Sequence, residues 1–174
     1  YDFLCIVHHL SKIQDIIIQV GRTGAVTPVA RISPVFIGGA TISNVTLHNM
    51  DELNRKDIRI GDTVNVRRAG DVIPEIVNTI ISKRPLNAKT IAMPKVCPIC
   101  NSKIIKNDNE AVYRCIGGYR CRSQRVEYLK HFVSRNAMDI EGFGSKLIEK
   151  LIDIKIISSP DDIFTLSKDE LSKL

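Results

Sequence analysis

Four cysteines carry the sharpest chemical signal in this chain. Cys97 and Cys100 form a Cys-x2-Cys knuckle, and Cys115 and Cys121 follow with spacings of 14 and then 5 residues. Two thiolate pairs joined by a short excursion can supply the four corners of a tetrahedron around one Zn²⁺. With four protein ligands there is no open coordination position, so such an ion is structural and does no catalysis. Disulfide pairing is the competing reading, but it needs an oxidising compartment. The N-terminus has neither the basic region nor the small-residue cleavage site of a secretory signal, and Cys5 would be left unpaired. Structural zinc in a reducing cytoplasm is therefore expected.

Three weaker signals suit contacts with phosphate or base edges. Gly21-Arg22-Thr23-Gly24 places a cation and a hydroxyl between two glycines that permit a tight turn, although many such turns are only turns. Arg67 and Arg68 precede the turn Ala69-Gly70-Asp71, after which come Val72, Ile73 and Pro74. Apolar residues at a turn flanked by arginines can wedge into a DNA minor groove, or they can fold back into a core. Spacing alone favours the second. Ile140-Glu141-Gly142-Phe143-Gly144 lies between two helical stretches, where glycines let backbone N–H groups face outward at a helix N-terminus. Such groups bind phosphate without reading sequence, and a generic helical hairpin is the alternative.

The elements that must position these residues divide at the cysteines. Before them the chain reads as strands: a β-branched run over 15–20, short strands at 26–32 and 35–37 interrupted by Pro28 and Pro34, and alternation over 41–48. Asn49 is placed to cap a short helix, and strands at 58–68 and 72–77 flank Gly-Asp turns. About five strands and one helix imply a small β-barrel such as the OB-fold, with a plain sandwich as the alternative. Residues 83–96 form a basic, Pro-bounded linker, and a hairpin is expected near 107–110. From Gln124 the period becomes helical, with Val126, Leu129, Phe132 and Val133 on one face and Leu147, Ile148, Leu151 and Ile152 on a later one. Ser159-Pro160 and Ser167 are placed to open two further short helices.

The net charge of +6 is unevenly spread: residues 1–82 are neutral, 83–135 carry +9 and 136–174 carry −3. A basic segment centred on the cysteines favours a polyanionic partner over an ordinary solvated surface. With 44% hydrophobic and 25% charged residues the composition is that of a soluble globular protein. No apolar run reaches the length of a membrane span. The start at Tyr1 rather than Met is read as that of a fragment.

Taken in order, these motifs resemble the C-terminal half of bacterial NAD-dependent DNA ligases. The resemblance is carried by Val20-Gly21-Arg22-Thr23-Gly24, Ala40-Thr41 with Thr46-Leu47-His48-Asn49, Arg55 through Asp62, and Arg68 through Glu75. The four cysteines at their x14 and x5 spacings and the stretch from Lys130 to Gly144 complete the set. It implies a multidomain α+β architecture: a five-stranded OB-type barrel (15–82), a basic linker (83–94), a tetracysteine zinc module (95–123) and a truncated helix-hairpin-helix segment (124–174). Residues 1–14 are read as a partial or degraded end of an adenylation domain. There Tyr1-Asp2-Phe3-Leu4 stands where the family usually has a Tyr-Lys-Phe-Pro-like strand.

The family transfers AMP from NAD to a lysine, then to a 5′-phosphate at a nick, and the 3′-hydroxyl displaces it; Mg or Mn assists the full-length enzyme. That lysine lies in a Lys-x-Asp-Gly motif that does not occur in this sequence, so no catalytic residue is expected here. The resemblance implies DNA contacts at Arg22, Thr23, Arg68, Val72, Ile73, Gly142 and Gly144, zinc at the four cysteines, and a monomer that clamps nicked duplex DNA. A stand-alone OB and zinc-ribbon module that binds nucleic acid, and a nonfunctional remnant, are the alternatives.

Overall fold

In the computed structural model, residues 9–69, 73–107 and 110–171 are described. They form two compact units. One comprises residues up to Gln19, Val26–Lys95 and Ile104–Arg114; the other comprises Val20–Ala25, Val96–Lys103 and the chain from Cys115.

The first unit is built on β1 (His9–Val20), β2 (Ala25–Ile37), β3 (Ala40–Thr46), α1 (Met50–Arg55), β4 (Thr63–Ala69) and β5 (Ile73–Thr79). The strands run in the order β5-β4-β1-β2, β3 also pairs with β2, and the short β7 (Tyr113–Cys115) and β6 (Ile104–Lys106) continue beyond β2. β1 pairs antiparallel with β4 from His9 opposite Val66 to Lys12 opposite Thr63. It therefore begins well before the β-branched run at 15–20, because pairing with a distant strand extends it through Leu10 and Ser11.

Two expected strands, 26–32 and 35–37, are one continuous β2. Proline lacks an N–H for the ladder, and the chain accommodates Pro34 by a bulge: Arg31 faces Asn44, but Val35 already faces Ile42. The same irregularity removes the simple alternation expected of β3, where the buried residues are Ile42 and Val45. The core is aliphatic, with Ile13, Ala30, Ile32, Val64 and Val66 almost fully buried. Leu53 of α1 packs into it, and the helix starts where Asn49 Oδ1 accepts the Glu52 N–H at 2.8 Å.

Residues 83–94 are fastened to this unit. Arg84 Nε donates to Asp62 Oδ1 at 2.8 Å, Asp62 being completely buried, and Ile60 and Lys89 exchange both backbone hydrogen bonds at 2.9 and 3.1 Å. Ile91 and Met93 pack on the core. A basic, Pro-bounded composition marks a linker, but a buried carboxylate demands a partner, and Arg84 is that partner.

The second unit contains α2 (Arg122–Val133), α3 (Ser145–Asp153), α4 (Pro160–Thr165) and α5 (Lys168–Leu171). Val126, Leu129 and Val133 of α2 meet Ile148, Leu151 and Ile152 of α3 in a separate apolar core, with Ile157 and Ile163 beneath them. Phe132 and Leu147, expected on those faces, are half-buried at its edge. Lys130 bridges the helices, 2.6 Å from Glu149 and 3.1 Å from Glu127. Ser159 caps α4 in a reciprocal capping box with Asp162 and Pro160 at its first turn.

Candidate metal centre and nucleic-acid surfaces

The knuckle at Cys97 is shaped by its own backbone. Asn101 takes a left-handed conformation (φ 57°), its N–H donates to the Cys97 carbonyl at 2.9 Å, and the Cys97 N–H donates to the Ser102 carbonyl at 2.8 Å. This turns Cys97 and Cys100 inward. On the other side, β7 ends at Cys115, and a 3₁₀ turn over Gly118–Arg120 delivers Cys121, which begins α2.

The four sulfurs lie within 4.8 Å of one another, with Cys97 Sγ to Cys121 Sγ at 4.0 Å and Cys100 Sγ to Cys115 Sγ at 3.5 Å. These separations are far beyond a disulfide bond of ~2.05 Å. They match the tetrahedral edge of about 3.8 Å that follows from a Zn–S distance of ~2.3 Å. The donor set therefore fits zinc. Cys97, Cys115 and Cys121 are buried.

The environment explains why a cation is needed. Burial pushes the Cys115 thiol up to about 12 and also raises Cys121. Cys100 also feels burial, which raises it, but hydrogen bonding with Ser102 outweighs that and brings it to about 6. A Zn²⁺ held by these four sulfurs would favour their thiolate forms and offset the cost that burial places on the charge.

Gly117 completes the shell, and its role was not legible in the Gly117-Gly118 pair. Its N–H lies 3.4 Å from Cys115 Sγ. A Cβ at this position would stand 2.7 Å from Cys100 Sγ, 3.0 Å from Ser102 Oγ and 3.2 Å from Cys121 Cβ. Glycine is required here by space, since its φ of −66° suits any residue. At Gly24 both constraints act: φ is +80°, and a Cβ would be 2.5 Å from the Cys115 carbonyl oxygen. The Cys115 N–H donates to the Gly24 carbonyl at 2.8 Å, and Gln124 Nε2 donates to the Cys115 carbonyl at 3.0 Å. The Gly21–Gly24 turn thus belongs to the cysteine unit, with Arg22 and Thr23 exposed on it.

In the first unit, Arg68 lies over the Gly38–Gly39 turn, its Nη1 donating to the Gly38 carbonyl at 2.6 Å. Ile73, opposite Ala69 in the β4–β5 pair, is 55% exposed and does not fold into the core. Val72 lies outside the described residues, as do Gly70, Asp71, residues 1–8, the Asp108-Asn109 tip of the expected hairpin and residues 172–174. Gly142 (φ 85°) and Gly144 are exposed in the second unit; Gly144 is the N-cap of α3 and has no capping side chain. The predicted sites thus separate into a metal cluster with Arg22 and Thr23, the Arg68 and Ile73 surface, and the start of α3.

Two family models match the chain. Residues 10–88 match the NAD-dependent DNA ligase OB-fold domain, and residues 96–122 match the NAD-dependent DNA ligase C4 zinc finger domain. The second match contains all four converging cysteines, and together the two cover more than half of the chain. An OB-fold domain followed by a four-cysteine zinc finger, both of this one kind, place the chain in the NAD-dependent DNA ligase family.

Proposed function

We propose that this chain is the DNA-clamping part of a ligase that seals nicks between 5′-phosphate and 3′-hydroxyl ends during replication and repair. The observation that carries the reading is Ile73, held out in solvent at the end of a strand pair that also presents Arg68. An apolar side chain costs free energy there unless it meets an apolar partner, and a minor-groove floor flanked by phosphates supplies one. In this reading the OB domain occupies 15–82, with Arg22, Thr23, Arg68, Val72 and Ile73 against DNA near the nick. The segment 124–174 acts as a helix-hairpin-helix element, with the N–H groups beyond Gly142 and Gly144 on a backbone phosphate. The zinc holds its module rigid and takes no part in catalysis. The domain acts as a monomer in the cytoplasm. NAD and Mg or Mn serve the adenylation chemistry, whose lysine motif this sequence does not contain.

The test is a competition between nicked duplex and single-stranded DNA over a range of salt. Preference for the duplex is expected, with affinity falling steeply as salt rises. Absence of duplex binding at low salt would sink the proposal. Preference for single strands would instead indicate a stand-alone OB and zinc-ribbon module. Such modules stack bases on aromatics, and Phe36 is the exposed aromatic of the barrel unit among the described residues. Incubation with NAD is expected to leave the mass of the chain unchanged.

A further inference from the structure

A groove of about 320 Å³ opens on the first unit between β3 and the β4–β5 pair, lined by residues 40–44 of β3, Arg68 of β4 and Pro74 of β5. β3 pairs with β2 on one side only, so its other edge runs along this groove. Ile42 turns inward and is buried, which leaves Thr41 and Ser43 on the outer face, and Asn44 beside them is exposed as well. Among the described residues the side chains of Thr41, Ser43 and Asn44 make no hydrogen bond, so two hydroxyls and an amide are available to a ligand. No carboxylate lines the groove. Arg68 is fixed at one end of it: a Cβ at Gly38 would stand 2.9 Å from the Arg68 Nη1 that donates to the Gly38 carbonyl, so only a glycine lets the guanidinium lie there. That bond uses one of the five N–H donors of the arginine. Arg31, directly opposite Asn44 in the β2–β3 ladder and exposed, adds a second cation to the same face.

The chemistry of this lining selects the occupant. Small-molecule sites are mostly apolar and enclose their ligand, whereas this groove is polar and open along its length. An added β-strand needs about 4.8 Å to each neighbour. β3 and β5 have Cα atoms within 8 Å of one another, which leaves no room for a strand between them. Neutral hydroxyl and amide groups beside an arginine, with no carboxylate, are the set that holds a sugar-phosphate chain without reading its sequence. The groove also continues into the surface that carries exposed Ile73, the residue before Pro74. An apolar side chain on a minor-groove floor only about 6 Å wide brings a flanking backbone within reach of neighbouring side chains.

We propose that this groove seats the sugar-phosphate backbone of one strand of a duplex, with Thr41, Ser43 and Asn44 as neutral donors to its phosphates across from Arg68. The inference rests on the clamping reading above, which assigns Arg68 and Ile73 but nothing on β3, and it makes β3 the second wall of the DNA-facing surface.

The experiment uses the full zinc-loaded chain and a nicked duplex over a salt series, with T41V, S43A, N44A, their triple combination and N44K. All three positions are exposed, and zinc content and thermal unfolding establish that each variant is folded. Each single truncation is expected to lower affinity about two- to tenfold, the worth of one neutral hydrogen bond, and the triple variant to lose more than any single one. Because these changes remove no cation, the salt slope stays at the parent value, whereas R68Q lowers it by about one. N44K sets a cation beside the seated phosphates and should steepen the slope by about one. Parent-like affinity in the triple variant would overturn the proposal; if R68Q and I73A still weaken binding, the clamping reading stands without it. If the chain binds no duplex at low salt, the clamping reading falls and a single-stranded oligonucleotide decides the groove. Single-strand binding that the triple variant weakens would keep the groove as a seat for a nucleic-acid backbone. Single-strand binding that F36A weakens and the triple variant does not, or no binding of either DNA, would overturn it.

Discussion

Replacing Gly117 by Ala tests whether the four sulfurs are seated as the metal geometry requires. At an ordinary position with φ near −66° this change stabilises a protein by about 0.4–1 kcal/mol, because it narrows the unfolded ensemble. Here the backbone permits Ala, but the added methyl would come within 2.7 Å of Cys100 Sγ and 3.0 Å of Ser102 Oγ. The near neighbours are a metal ligand and a residue that hydrogen-bonds it, so neither can retreat as a free side-chain end would. Overpacking of this kind costs about 1–3 kcal/mol, and because the clash falls on ligands the cost appears in metal affinity. That corresponds to a loss of roughly 5- to 150-fold in zinc affinity, measured by competition with a chromophoric chelator. Two other glycines calibrate the result. A Cβ at Gly118 meets nothing within 4 Å but would have φ +52°, a backbone penalty of about 1–2 kcal/mol without a ligand clash. At Gly144 a Cβ meets nothing and φ is −66°, so Ala is tolerated. If G117A retains zinc as tightly as the parent chain while G144A behaves normally, the reasoning about the ligand shell is wrong.

Removal of the fully buried Asp62 side chain by D62A leaves the Arg59 N–H without its acceptor and leaves Arg84 with Asp57 as its remaining acidic partner. The expected loss is about 1–3 kcal/mol in urea unfolding of the whole chain; a change below about 1 kcal/mol, the size of an ordinary exposed ion pair, would show that the anchor at Arg84 contributes little. Glu52 offers a pH signature. The hydrogen bond from Arg55, then that from Lys56, holds its carboxyl down to about 2 against an ordinary 4.5. Because the folded value lies below the unfolded one, the stabilisation is complete above pH 4.5 and disappears as pH falls towards 2. E52Q should therefore flatten part of the acid limb of the stability curve between those limits, and an unchanged limb would contradict the assignment.

What was legible in the sequence was what depends on near neighbours or on a repeating period. The cysteine spacings specified four converging thiols, the Asn49 cap follows from a side chain reaching three residues along, and the α2 and α3 faces follow from the helical repeat. The spacing at 72–73 pointed the other way from the structure at Ile73, because burial of a turn residue is decided by what lies behind it rather than by its own hydropathy. Continuity of β2 through Pro34 required β3 to accept a bulge, and the attachment of 83–94 required the buried Asp62. The metal site shows the division most plainly. Ligand identity and spacing were written in the sequence, since coordination chemistry demands those atoms. That Gly117 must lack a side chain and that the Gly21–Gly24 turn joins the cysteine unit were decided only by the tertiary structure. Each depends on atoms brought together by the folded chain, and the hydrogen bond from the Cys115 N–H to the Gly24 carbonyl spans a sequence separation over which no local preference acts.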